Sequence, residues 1–161
     1  MTFRPIAALP RQPGSFCMIV APAATMVADL ATLLLQVDRC AYLSGPRPHL
    51  RRLLADVLPP AQTCTVLTLA QMRSSLTGAP ASLVLVEHDP DLFEDSPEFI
   101  DRIGLVFRRT AQDRGIRVVL LATRMDDVLE RLSGYCDKLV VVEREAGGDR
   151  PLRPGQVTLG G

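Results

Sequence analysis

The sequence has few aromatic residues. Only 4% of its 161 residues are Phe, Tyr or Trp, and Trp is absent, although 47% of the residues are hydrophobic. A hydrophobic share of this size is typical of a globular chain and not of a disordered one. The core must therefore consist mainly of Leu, Val, Ile and Ala. A chain of this length favours one domain that buries most of its surface.

The sequence has no excess of charge of either sign. Eighteen basic residues balance eighteen acidic residues. A domain with a dominant nucleic-acid-binding surface is usually basic, so we expect no nucleic-acid partner. The group Arg47, Arg51 and Arg52 could bind an anion or an acidic partner, but a solvated helix face is the better explanation. We expect the solvated face.

Paired metal-binding motifs are also missing. The four cysteines, at positions 17, 40, 64 and 136, form no CxxC pair, and the chain has only two histidines. This spacing predicts no metal site, and we expect no cofactor. Ser44 lies in Leu-Ser-Gly-Pro, which lacks the first glycine of a nucleophile elbow. Because every cysteine lies in or beside an apolar run, we predict buried, reduced thiols in a reducing compartment.

No apolar run is long and uninterrupted enough to predict a membrane span. The most apolar stretch, Phe16 to Val37, contains Pro22 and Asp29. A spanning helix usually needs about 20 apolar residues without a central charge. The N-terminal residues also lack the pattern of a signal peptide. We therefore expect no membrane partner and a cytoplasmic location.

Strand-like and helix-like segments alternate along the chain. Short apolar runs predict strands at 16–20, 39–44, 63–69, 82–86, 116–122 and 139–143, and helical patterns predict helices at 25–37, 48–58, 70–76, 97–114 and 126–132. Continuous apolar strands between helices are typical of a parallel sheet covered on both faces. The sequence predicts a three-layer α/β fold with a mainly parallel sheet of about five to seven strands.

The sequence pattern divides the chain into three predicted parts. Residues 1–15 contain Pro5, Pro10 and Pro13 and are predicted to be an extended N-terminal arm. Residues 16–145 carry the alternating pattern and form the single α/β domain. Residues 146–161 are predicted to be a tail, in which 156–159 could add one strand to the sheet.

The turn after the first strand lies where a known fold family has its phosphate-binding loop. The order and spacing of elements over residues 16–145 resemble a RecA-like P-loop ATPase core, and its KaiC-like branch most of all. That family places GxxxxGK[ST] after the first strand, where backbone amides and a Lys hold phosphate. Here the two glycines correspond to Ala21 and Met26, the Lys to Val27 and the hydroxyl residue to Ala28. Pro22 also removes one amide donor. The resemblance implies a degenerate loop; an ordinary turn of another α/β fold is the alternative.

Two further segments resemble this family. Tyr42, Ser44 and Gly45 fit the second strand of KaiC-like proteins, but Pro46 and Arg47 follow where that family has an acid that positions water. Residues 135–143 are similar to the last strand of the core. Part of the catalytic apparatus is therefore missing by this comparison.

The strand at 82–86 runs into an acid, which resembles a Walker B strand. Glu87 stands where the resemblance implies an acid that orients magnesium. Thr123 and Arg124 follow the next strand, whose polar end senses the γ-phosphate in the family. Four apolar residues and an acid are a weak motif, because any buried strand that meets a polar loop produces it.

Acidic residues cluster after that strand. Glu87, His88, Asp89 and Asp91 lie at the carboxyl end of a predicted central strand, where α/β folds place ligands. Together with Thr123 and Arg124 they form a candidate polar site. A metal or acid–base site is one interpretation. The other, which we favour, is a solvated loop whose acids cap the following helix.

These observations favour a non-catalytic RecA/KaiC-like domain. The fold pattern is present, while the residues that handle phosphate are missing, so we expect neither nucleotide binding nor a catalytic residue. Such a domain would act as a regulatory or protein-interaction module, with a protein partner or by homo-oligomerisation. The alternatives are a small-ligand-sensing KaiC-like domain and a metal-dependent enzyme that uses the loop from Glu87 to Asp91.

Overall fold

A computed structural model of the chain describes residues 8–37, 39–58, 62–94, 96–143 and 156–160. The strands among these residues are β1 (Ser15–Val20), β2 (Cys40–Ser44), β3 (Thr63–Thr65), β4 (Leu83–Glu87), β5 (Arg117–Ala122), β6 (Lys138–Glu143) and β7 (Gln156–Gly160). They form one sheet in the order β3-β2-β4-β5-β1-β6-β7. All six neighbouring pairs are parallel. The predicted α/β fold with a parallel sheet is confirmed, and the added strand of the tail is β7.

Alternation along each strand divides the core into two clusters. On β1, Phe16, Met18 and Val20 pack into one cluster, and Cys17 and Ile19 pack into the other. Successive side chains of a strand point to opposite faces of the sheet, so each cluster covers one face. Strands buried on both faces are continuous apolar runs, which is why the sequence shows no polar alternation here.

Helices cover both faces. They are α1 (Ala23–Leu34), α2 (Leu50–Leu53), α3 (Leu69–Gly78), α4 (Ile100–Arg114) and α5 (Asp127–Leu132). Residues of α3, α4 and α5 pack in the cluster of Phe16, and residues of α1 and α2 pack in the cluster of Ile19. The result is the expected three layers. No helix in the described part of the chain is long and apolar enough to cross a membrane.

The predicted helix at 48–58 is wrong in length and in its buried face. The α-helix ends at Leu53, and turns follow to Leu58. A regular helix over 48–58 is predicted to bury one face that consists of Leu50, Leu53, Leu54, Val57 and Leu58. Three of these are buried, but Leu53 is 51% exposed and Val57 is also exposed. Because the chain leaves helical geometry after Leu53, the helical spacing that grouped these residues no longer applies.

The helix predicted at 97–114 has an irregular start. Short 3-10 turns at Pro90–Phe93 and Pro97–Phe99 precede α4, which then runs to Arg114. Gly115 ends it in the left-handed conformation with φ 62°, a backbone geometry that glycine adopts readily. The predicted end of this helix at residue 114 is confirmed.

The cysteines are free, as predicted, but not all are buried. Cys17 and Cys40 are buried, Cys136 is half-buried, and Cys64 is exposed. Burial raises the pKa of Cys40 and of Cys136 to about 12. Cys64 lies on the three-residue strand β3 at the edge of the sheet.

Hydrogen bonds join the first described residues to β6, and join β1 to the residue before β6. Leu9, in the predicted arm, is buried in the core. The Lys138 ammonium donates to the Ala8 carbonyl at 2.7 Å. Asp137 accepts a hydrogen bond from the Phe16 amide at 2.9 Å, and its own amide donates to the Phe16 carbonyl. Residues 1–7 of the predicted arm, 144–155 and residue 161 lie outside the described residues.

Gly104 is predicted to be intolerant of a side chain. A Cβ there would lie 2.8 Å from Cγ of the Tyr135 ring, which packs against α4. Overpacking typically costs about 1–3 kcal/mol, and alanine recovers about 1 kcal/mol of helix propensity. We expect Gly104→Ala to lower the free energy of unfolding by about 1 kcal/mol in urea denaturation. Gly78→Ala is the control, because nothing lies within 4 Å of its Cβ position. Equal stability of both variants would contradict the predicted clash.

Candidate functional site

The carboxyl ends of β4, β5 and β1 lie side by side in the sheet. β1 leads into α1 on one face, while β5 leads into α5 on the other. Loops that leave adjacent strands toward opposite faces open a crevice, where α/β folds bind ligands. The predicted polar site and the predicted loop both lie at this end of the sheet.

The turn after β1 is very short. It consists of Ala21, whose amide donates to the Ala122 carbonyl at 3.0 Å, and Pro22. The helix α1 then begins at Ala23, and its first helical hydrogen bond runs from the Met26 amide to the Pro22 carbonyl at 3.0 Å. Pro22 precedes the helix with an extended ψ of 144°, and the alanines that follow it favour helix, so the chain enters α1 directly.

This turn corrects the predicted start of the helix. The helix predicted to begin at residue 25, with Thr25 as its possible N-cap, begins two residues earlier, so Thr25 lies inside the first turn and Pro22 occupies the cap position. Of the positions compared with a phosphate loop, Met26, Val27 and Ala28 are helical, and Met26 is fully buried. Residues 21–28 thus form a two-residue turn and helix in place of an extended loop that could wrap around a phosphate.

The carboxylate of Glu87 is almost completely buried, with 7% of the residue exposed. One oxygen accepts hydrogen bonds from the Tyr42 hydroxyl at 2.7 Å and from the Arg51 amide at 2.9 Å. The other accepts from the His49 amide at 2.7 Å. These amides lie at the start of α2, where free N–H groups attract negative charge. Glu87 therefore caps α2 and joins it to β2 and β4.

Tyr42 provides the hydroxyl of this network from the middle of β2. Burial, and next the negative charge of Glu87, raise the pKa of Tyr42. The phenol therefore stays protonated and remains a hydrogen-bond donor to the carboxylate. Arg51 extends the network outward, because its guanidinium donates to the Ser44 hydroxyl at 3.0 Å and to the Thr65 hydroxyl at 3.2 Å. The carboxyl ends of β2 and β3 are thus joined to α2.

Asp89 makes local contacts at the end of β4. Its carboxylate accepts from the Asp91 amide at 3.0 Å and so caps the 3-10 turn at Pro90–Phe93. The same side chain lies against Gly45, where a Cβ would be 2.9 Å from the Asp89 Cγ. Gly45 therefore permits a close approach of the two loops. The Asp91 residue is exposed.

His88 points away from Glu87, into the other layer. Its side chain is 6% exposed, and its Nε2 lies 2.7 Å from Asp126 Oδ2. Asp126 also accepts from the Leu129 amide at 2.8 Å and caps α5. The pair connects the end of β4 to α5. A ring with so little exposed surface has no route to a ligand in this conformation.

The predicted polar residues are therefore divided among separate contacts. Glu87 and His88 lie on opposite faces, Asp89 and Asp91 form a turn, and Thr123 and Arg124 are exposed after β5. Sequence reasoning missed Tyr42 and Arg51 as partners of Glu87, because they are 45 and 36 positions away and no local pattern links them. Asp126 could have been found as an N-cap, since it directly precedes a helical pattern.

The described residues do not form a metal centre. Among them, no group of three or more His, Cys, Asp and Glu side chains is placed to hold a metal ion. The hypothesis of a metal-dependent enzyme that uses the loop from Glu87 to Asp91 therefore has no ligand set in this part of the chain.

Comparisons with known proteins define the fold. No protein-family model matches the chain. An uncharacterized protein of Archaeoglobus fulgidus is 30% identical over 82 residues, which cover 50% of this chain and 42% of that protein. The crystal structure of the RadB recombinase superimposes with a TM-score of 0.53 and 18% identity, covering 80% of this chain and 74% of that one. The chain spans less than half of the archaeal relative and has a RecA-like fold.

Neutralising Glu87 is expected to destabilise the fold. In Glu87→Gln the side-chain amide would replace one oxygen and leave a backbone N–H of α2 facing another donor. A buried unsatisfied donor costs about 1–3 kcal/mol, so we expect a loss of about 2 kcal/mol in urea denaturation. Glu94→Gln removes the same charge from an exposed residue and is the control. A wild-type midpoint for Glu87→Gln would contradict the capping role.

Tyr42 is expected to make folding sensitive to alkaline pH. Its pKa is raised in the folded protein, so the folded state holds the proton more tightly than the unfolded state. Stability is then complete below the unfolded value of about 10 and falls as the pH rises above it. Tyrosinate absorbance from Tyr42 should appear only together with unfolding. Tyr42→Phe should flatten this alkaline loss; an unchanged slope would show that other groups cause it.

Proposed function

We propose that this chain is a non-catalytic RecA/KaiC-like domain that has lost ATP hydrolysis and acts in the cytoplasm as a regulatory or protein-interaction module. The observation that carries the proposal is the state of Glu87. In an ATPase of this kind the corresponding acid must be free to orient the magnesium shell. Here both carboxylate oxygens accept hydrogen bonds from the protein, and the side chain caps α2.

The turn after β1 supports the same proposal. An anion at the start of α1 would meet a two-residue turn that contains Pro22. The helix begins before the positions that would supply the second glycine and the lysine, and buried Met26 occupies one of them. This segment has no loop that wraps around phosphates and no cationic side chain, so it cannot supply the binding free energy for a triphosphate. A degenerate phosphate loop is the interpretation that we adopt.

The exposed surface supports an interaction role. Leu35 is 83% exposed and Leu67 is 60% exposed, so these apolar side chains are accessible to a partner. A chain with no net charge has little electrostatic attraction for nucleic acid. A protein partner, or a second copy of the chain, is therefore the partner that we propose.

Nucleotide binding tests the proposal. At about 5 mM ATP with magnesium, a Kd of about 50 μM would stabilise the folded state by about 2.7 kcal/mol and raise the Tm by several degrees. We expect no such rise and no phosphate release above that of a buffer blank. A P-loop ATPase with an intact lysine, measured in parallel, is the positive control. A rise of several degrees would overturn the proposal.

A further inference from the structure

A groove opens between α3 and the start of α4. We call it the α3–α4 groove; it begins at Leu67, before α3, and reaches Val106 on α4, with a volume of about 790 Å³. It lies in the layer of α3, α4 and α5. The Glu87 carboxylate instead bonds to Tyr42 and to the start of α2, which belong to the other layer.

The floor of the α3–α4 groove is apolar. Leu92, Phe99 and Val106 are half-buried there, and Ile103 is buried beneath them. Leu67 stands at the rim and is 60% exposed. Covering these side chains would remove apolar surface from water, which favours association.

Two arginines stand at the sides of this floor. Arg73 lies on α3 and Arg102 on α4, and both are exposed. The Arg102 guanidinium lies over the Phe99 ring, 5.3 Å from its centre, which orients the side chain without neutralising it. Among the described residues, neither arginine forms an ion pair. Asp91 also lines the groove, so its three charged residues sum to one positive charge.

We propose that the α3–α4 groove binds a short segment of a partner protein that presents apolar side chains together with carboxylates. The apolar floor takes the hydrophobic side chains, and the two arginines bind carboxylates in bidentate geometry. Nucleic acid is less suited, because phosphates gain nothing from an apolar floor. The inference rests on the proposed interaction role and names the chemistry of the partner.

Selection of peptides tests this proposal. Phage displaying short random peptides are selected on the immobilised full chain, and the enriched peptides are synthesised for fluorescence anisotropy. We expect enrichment of sequences that combine Leu or Phe with Asp or Glu. The double variant Arg73→Glu/Arg102→Glu should weaken their binding by at least about tenfold, which corresponds to about 1.4 kcal/mol. Exchanging the peptide carboxylates for lysines should restore binding to that variant.

The control variant is Arg47→Glu/Arg52→Glu. It makes the same change of charge at exposed positions near α2, on the other face of the sheet. It should bind the peptides as the wild type does, and both variants should unfold near the wild-type midpoint because all four arginines are exposed.

Several results would overturn the groove assignment. They are the absence of enriched peptides, enrichment of basic peptides, and equal binding by both double variants. Light scattering that shows self-association lost only in Arg73→Glu/Arg102→Glu would identify a second copy as the occupant. Decanoate binding more tightly than any peptide would identify a small amphiphile. ATP binding would instead contradict the proposed non-catalytic role without bearing on whether the groove binds peptides. Failure of the proposed function and failure of the groove assignment are therefore distinguishable.

Discussion

The buried carboxylate of Glu87 is the interaction on which this end of the molecule depends. A charge with 7% exposure is costly unless it is fully hydrogen-bonded, and here three donors satisfy it. Two of them are amides at the start of the short helix α2, which has too few residues to be stable alone. The capping bond and the helix therefore require each other, and the Tyr42 hydroxyl fixes both to the sheet.

Other side chains at the carboxyl edge of the sheet also form hydrogen bonds that hold neighbouring segments in place. Asp89 caps a 3-10 turn, Asp126 caps α5 and holds His88, and Arg51 joins two strand ends. The polar groups that α/β folds usually present to ligands here satisfy the backbone amides and hydroxyls of the protein itself. The crevice at the switch point is present in the topology, and Glu87, Asp89 and Asp126 at this end bond to backbone amides of the protein.

The accessible apolar surface lies in the layer of α3, α4 and α5 and not at the carboxyl edge of the sheet. The α3–α4 groove combines partly exposed apolar side chains with two arginines that form no ion pair among the described residues. Glu87, Asp89 and Asp126, near the sheet edge, accept hydrogen bonds from the protein itself. The proposed binding surface thus lies on the helices of a RecA-like fold and not at its strand ends. This is physically reasonable, because the parallel sheet needs only its two apolar faces and not the loop that binds phosphate.

The sequence by itself determined the fold class, the buried strands and the end of the long helix at residue 114. All of these depend on local patterns, namely apolar periodicity and turn residues. The tertiary structure alone decided that Glu87 is a cap, that His88 faces the other layer, that Leu53 is exposed and that a groove opens between α3 and α4. Each of these depends on which distant segments the strand order brings together, and no local pattern along the chain records that order.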